Sequence, residues 1–358
     1  MNNKFKLFLL PIILLGLTGC LEHRYFITTL PSDRVKIHFE LRGDRADIED
    51  GNELLPDSIL WGLTRTVEET EDETTHIYIG ERVLEHSRDL ASSMKWGRTP
   101  DDSVHFTPAV SLESQSFPFC RVWTLKGIFS SRRFIELYGD MWEYVPEECR
   151  VLQDSEASES LSADETLILE RKFGLGIIQW TRARYERSFD AIWTSARLRP
   201  ELLKDTTVAS MAIIRTGWVA DLHAYLNNFD VGDPQTTNLN WWKDVRQMLL
   251  GRFVEVAEVS RIEELGRIAD AVENTYLISK DMEDDKFVVE ATLPGRIIKT
   301  NGLKNDGKVS WEIAGKDFQN ETLYLKSLSI EPEWPQIAIG IVAFVVIIWV
   351  IKRRRGSN

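Results

Sequence analysis

Residues 286–313 read KFVVEATLPGRIIKTNGLKNDGKVSWEI, and they decide the fold because they return the chain to β-structure after a long helical passage. Lys286 to Thr292 is rich in β-formers and reads as a strand. Pro294-Gly295 is a turn, and Ile297 to Thr300 leads into Asn301-Gly302. Asn305-Asp306-Gly307 then precedes Lys308 to Ile313. Asn-Gly and Asp-Gly pairs supply the positive φ angles that tight hairpins need. Tyr324 to Ile330 reads as a last strand, with Glu331 to Pro335 as a short linker beyond it.

Upstream of this block the period is helical. Leu202 to Leu226 is rich in Ala, Leu, Ile and Val, and Leu239 to Ser279 carries apolar residues at three- and four-residue spacing. Trp242, Val245, Leu249, Phe253 and Val256 form one such stripe. The stretch DVGDPQTT, residues 230–237, breaks the two segments. Earlier still the period is two. Arg34 to Leu41 alternates polar and apolar residues, as a half-buried strand does. Tyr25 to Leu30 is its expected partner through the turn Pro31-Ser32-Asp33. Thr75 to Ile79 is another short strand, and the acidic stretch Asp154 to Glu165 reads as an exposed loop.

The two ends read as membrane signals. Lys4 and Lys6 precede the apolar run Leu7 to Leu17, which closes on Leu17-Thr18-Gly19-Cys20. This is a secretory leader, and its end resembles the lipobox of bacterial lipoproteins, in which the cysteine becomes an acylated N-terminus. At the other end, Ile337 to Ile351 carries no charge and is followed by Lys352-Arg353-Arg354-Arg355. The 18 residues from Trp334 to Ile351 would give about 27 Å of helix at 1.5 Å per residue, near the roughly 30 Å of a hydrocarbon core. Trp334 and Trp349 lie near its ends, where amphipathic rings prefer the interface.

The expected fold is therefore α+β: an antiparallel β-rich domain with an inserted α-helical hairpin, followed by one C-terminal transmembrane helix. The expected boundaries are 1–19 for the signal peptide, 20–194 for a β-rich extracytoplasmic region and 195–280 for the helices. Residues 281–333 complete the β domain, 334–352 span the membrane and 353–358 form a cytoplasmic tail.

The block Ala291 to Ile313 resembles the closing hairpin of LppM-type bacterial lipoprotein domains, with a strand ending in Pro-Gly, a short segment to Asn-Gly and a second strand carrying Trp311. Lipobox, early β-hairpin, helical middle and terminal apolar helix follow the same order. The resemblance implies a surface-exposed β/α domain with lipid or envelope contacts, and brings no catalytic residues with it.

Composition limits the function. With 43% hydrophobic and 10% aromatic residues the chain can bury a core and is not of the disordered class. The formal charge is −13. All of Lys4, Lys6, Lys352, Arg353, Arg354 and Arg355 lie outside residues 21–335 and no acid does, so that segment carries −19. So acidic a body is a poor partner for nucleic acid or anionic lipid headgroups.

Few residues announce chemistry. If Cys20 is acylated, Cys120 and Cys149 remain, an even pair in an oxidising compartment. They read either as a disulfide or as two buried thiols. The histidines, His23, His38, His76, His86, His105 and His223, form no metal-binding spacing. Neither a metal nor a cofactor is implied, and no serine-hydrolase elbow appears. Gly174-Leu175-Gly176 is too short for a phosphate loop and reads as a turn or a strand glycine pair. Among 12 tryptophans, Trp241 and Trp242 are adjacent. Neighbouring helix positions point about 100° apart, so one of the pair is expected to contact membrane, ligand or partner.

The reading is a membrane-tethered envelope lipoprotein that binds a lipid or an envelope protein, with catalysis not indicated. The alternative is an envelope hydrolase whose site is assembled from distant Asp, Glu or His residues. Its place is the cell membrane, held through Cys20 and the C-terminal helix. The bulk of the chain is on the extracytoplasmic side and the C-terminus in the cytoplasm.

Overall fold

The computed structural model describes residues 21–49, 55–70, 74–94, 108–153, 157–158, 160–199, 201–204, 207–228 and 241–355. The expected signal segment and Cys20 lie outside them. The protein is α+β, and its chain divides into two compact units: Arg132–Lys280 in one, and Leu17–Ser131 with Asp281–Asn358 in the other.

The discontinuous unit is built on two sheets. In chain order its strands are β1 (Glu22–Thr29), β2 (Val35–Gly43), β3 (Thr64–Glu69), β4 (Thr74–Leu84), β5 (Ala109–Ser116) and β6 (Cys120–Phe129), followed by β7 (Lys286–Thr292), β8 (Arg296–Thr300), β9 (Leu303–Asn305), β10 (Lys308–Ala314) and β11 (Leu323–Pro332). The larger sheet runs β3-β4-β2-β1-β7-β10-β9 and the smaller β5-β6-β11-β8. All described pairings are antiparallel except one. Strand β1 lies parallel to β7, with Glu22 opposite Lys286 and Thr28 opposite Thr292.

Alternation along these strands sends Tyr25, Ile27, Val35, Ile37, Phe39, Phe287 and Val289 to one face of the large sheet, where all are buried. From the small sheet, Phe129 meets Phe287 edge-on at 5.7 Å and Phe318 at 5.5 Å. These rings join the two sheets across one core.

The block 286–313 uses both sheets. The turn Asp306-Gly307 has φ of 41° and 80° and closes the β9–β10 hairpin, as its composition predicts. Pro294-Gly295 instead carries the chain across from β7 in the large sheet to β8 in the small one. Gly295 has φ +73°, and an added Cβ there would lie 2.2 Å from the Ile330 carbonyl oxygen, so both conformation and space require glycine.

The other unit is helical, with α1 (Ala163–Arg197), α2 (Val208–Asn227), α3 (Trp241–Phe253) and α4 (Ile262–Asp281). Among the described residues three helices, α2 to α4, occupy the span 195–280 that was expected to hold a hairpin. The helical region also opens well before residue 195: the 35-residue α1 occupies most of the last quarter of the span read as β-rich. Its start is encoded in the supposed loop. The Ser162 hydroxyl accepts from the Glu165 N–H and the Glu165 carboxylate accepts from the Ser162 N–H, a reciprocal cap. Gly174 and Gly176 lie inside α1 rather than in a turn. A Cβ at Gly176 would come within 2.8 Å of Val145 Cα, so this glycine serves close packing. The core follows helical spacing through Tyr185, Phe189, Ile192, Trp193 and Ala196 of α1, Ile214, Trp218, Leu222 and Leu226 of α2, and Val245, Leu249 and Phe253 of α3.

The C-terminal helix α5 (Trp334–Arg355) corrects the expected membrane span over 334–352. Among the described residues no helix is long and apolar enough to cross a membrane. The charge-free apolar run Ile337 to Ile351 has 15 residues. At 1.5 Å per residue that is about 23 Å, short of the roughly 30 Å of a hydrocarbon core. The expected cytoplasmic tail at 353–358 reaches residues 356–358, which lie outside the described residues.

Candidate functional site

The face of the large sheet opposite its core is open. Alternation places Phe26 and Thr28 of β1, Lys36, His38 and Glu40 of β2, Glu81 of β4, Glu290 and Thr292 of β7, and Lys308 of β10 around a shallow depression of about 340 Å³. Register makes these cross-strand neighbours. One row runs Glu81, His38, Phe26, Glu290, and the next runs Lys36, Thr28, Thr292, Lys308.

Each charge in the depression has a partner. His38 Nδ1 lies 3.0 Å from Glu81 Oε1 and His38 Nε2 lies 2.9 Å from Glu40 Oε1. Lys36 Nζ is 2.8 Å from the same Glu81 oxygen, and Lys308 donates to Glu290 at 2.7 Å. The hydrogen bond from Lys36, followed by that from His38, holds the Glu81 carboxyl below the usual carboxylate range. Phe26 packs beside the His38 ring at 5.4 Å. The same face continues outward through Arg42 to Glu68, Arg24 to Glu22, and Lys286 between Glu22 and Glu312. It is thus a lattice of alternating charges around one aromatic ring.

A general base needs a nitrogen lone pair aimed at substrate, and both imidazole nitrogens here face carboxylates. Among the described residues, no group of three or more His, Cys, Asp or Glu side chains is placed to hold a metal ion.

The residues singled out in the sequence fall elsewhere. Cys20 lies outside the described residues. Cys120 and Cys149 are both free thiols in this structure. Cys149 is buried, its thiol donates to the Leu169 carbonyl at 3.6 Å, and burial pushes its pKa up. Trp242 is part of the helical core: its Nε1–H donates to Asp270 at 3.0 Å and its ring stacks on Tyr185. Trp241 opens α3, and its side chain lies outside the described residues.

Sequence reasoning did not nominate the depression. The alternation of residues 34–41 marked Lys36, His38 and Glu40 as one face. Their partners come from β1, β4, β7 and β10, which no local pattern links.

No family model matches the chain, and no curated protein matches it. Among solved structures it is similar to the NMR structure of the folded domain of LppM from Mycobacterium tuberculosis, at 8% identity, covering 88% of this chain and 94% of that one, with a TM-score of 0.30. That domain type is the one the block 291–313 resembles. A score this low establishes no common arrangement, and no residue or role is carried across.

Proposed function

We propose that this protein is an exported lipoprotein, anchored through an acylated Cys20, that binds an envelope protein on the outer face of its seven-stranded sheet and catalyses no reaction. The observation that carries the reading is the depression around His38, with its charges paired beforehand and no uncommitted base among them. A rim of alternating charge around Phe26 fits a polar protein surface carrying both signs, where complementarity sets register and specificity. An acyl chain would find only Phe26 as an apolar contact there.

The test uses a photoreactive phenylalanine analogue at position 26 of the full chain, crosslinked in intact cells. A discrete protein adduct is expected, and the double reversal Lys36→Glu and Lys308→Glu should remove it. Exposed ion pairs contribute only about 0–1 kcal/mol each, so those changes leave the fold standing. A lipid adduct would move the reading to lipid binding. Turnover of an ester, amide or glycosidic substrate that His38→Gln abolishes would overturn it in favour of a hydrolase.

A further inference from the structure

Leu21, the residue after Cys20, is fixed against the large sheet. Leu21 is buried at 3% exposure. Its N–H donates to Asp285 Oδ1 at 3.0 Å and its carbonyl accepts from the Lys286 N–H at 2.8 Å. Its side chain fills the space that Gly43 leaves by having no Cβ. Asp285 is itself fixed. It is 5% exposed, its carbonyl accepts from the Gly315 N–H at 2.8 Å, and its second carboxylate oxygen faces His23 Nε2 at 3.6 Å. His23 in turn stacks on Phe287 at 4.4 Å. The parallel ladder with β7 starts at the next residue, Glu22 opposite Lys286.

Acylated residues are commonly imagined on a flexible leash, whose reach grows by about 3.3–3.6 Å per residue. Here the leash has no length. Consecutive Cα atoms are about 3.8 Å apart, so an acyl group on Cys20 is separated from the fixed body by one peptide unit. We infer that Asp285 clamps the anchored end of the chain, so that the acyl chains hold the Leu21–Gly43–Lys286 end of the large sheet directly against the lipid headgroup layer. The inference rests on acylation of Cys20, the reading proposed above. The depression begins at Phe26, five residues along β1, or about 17 Å at 3.3 Å per residue. The clamp therefore holds the binding face at one fixed distance along the strand from the anchor. A partner must present itself close to the membrane, since this body cannot search for one at the end of a tether.

The experiment uses the full-length exported protein in phosphatidylethanolamine–phosphatidylglycerol vesicles, after metabolic labelling with a fatty acid. Amide hydrogen exchange reads the clamp. In wild type the Leu21 amide should be protected to within about tenfold of the Ile27 amide in the middle of β1. Asp285→Ala should speed exchange at Leu21 more than tenfold and leave Ile27 unchanged. Exchange of wild-type Leu21 at the rate of an unstructured chain would overturn the clamp. A second variant inserts eight Gly-Ser residues between Cys20 and Leu21 and leaves Asp285 in place, so it serves if Asp285→Ala fails to fold. Protease should strip the lipid label from this variant and not from wild type. Equal stripping of both would overturn the inference. Absence of the label from wild type would sink the anchor and the membrane placement together, while Leu21 exchange would still report on the Asp285 hydrogen bond.

Discussion

Arg184 and Glu273, 89 residues apart in the chain, form a buried two-pronged ion pair inside the helical unit. Arg184 Nη1 donates at 3.0 and 3.2 Å and Nη2 at 3.1 Å to the two carboxylate oxygens. The guanidinium is stacked between Tyr185 and Tyr276, 4.1 and 3.9 Å from the ring centroids. The pair ties α1 to α4. Removing one partner leaves the other charged in a nonpolar enclosure, which costs about 3–5 kcal/mol. We expect Glu273→Ala or Arg184→Ala alone to destabilise the helical unit by about that amount in urea unfolding. The double replacement Arg184→Met, Glu273→Leu should cost much less than the sum, because it buries no orphan charge.

Tyr138 supplies a pH-dependent prediction. Burial, opposed by the nearby Arg132 and Arg184, pushes its phenol up to about 12 from the usual 10. In the unfolded chain the phenol ionises near 10, so between pH 10 and 12 the native state holds the extra proton. Stability must then fall as pH rises through that window, by about 3 kcal/mol at about 1.4 kcal/mol per pKa unit. Tyr138→Phe should flatten the alkaline limb of a stability–pH curve relative to wild type. Parallel curves for the two would show that the phenol does not resist ionisation.

At the crossover between sheets, Gly295→Ala would place a methyl group against the Ile330 carbonyl at positive φ. Strain of this kind costs about 1–3 kcal/mol. Gly62→Ala also falls at positive φ, 54°, yet meets nothing within 4 Å, and should cost less. Thermal unfolding of the two variants side by side would separate conformational strain from steric clash.

The two thiols should differ in reactivity. Half-buried Cys120 should react with a disulfide reagent in the native protein, whereas Cys149, enclosed and bonded to Leu169, should react only on unfolding. Intact mass under non-reducing conditions should show no loss of two hydrogens. A mass two units low would mean that the exported protein acquires the Cys120–Cys149 bond after all.

Much of the local structure was legible from consecutive residues. Alternation over residues 34–41 marks β2, the stripe from Trp242 to Val256 marks the inward face of α3, and Asp306-Gly307 marks its turn. Ser162-Ala163-Asp164-Glu165 also announced the start of α1, but the acidic run around it hid the signal. Gly174 and Gly176 then masked the helix that follows, because glycine in a helix interior is ordinarily unfavourable. Only the backbone of Val145 lying against Gly176 explains its presence there.

What the sequence by itself determined is periodicity and turn chemistry, each a property of neighbours along the chain, together with net charge. What only the tertiary structure decided is pairing. The parallel alignment of β1 with β7, Asp285 on the Leu21 amide across 264 residues, the ring of charges around His38 and the enclosure of Arg184 with Glu273 all join segments with no common local signal. The physical reason is that register and burial minimise free energy over the whole fold. The same alternating strand can place His38 against Glu81 or against solvent, and it is the neighbouring strands that choose.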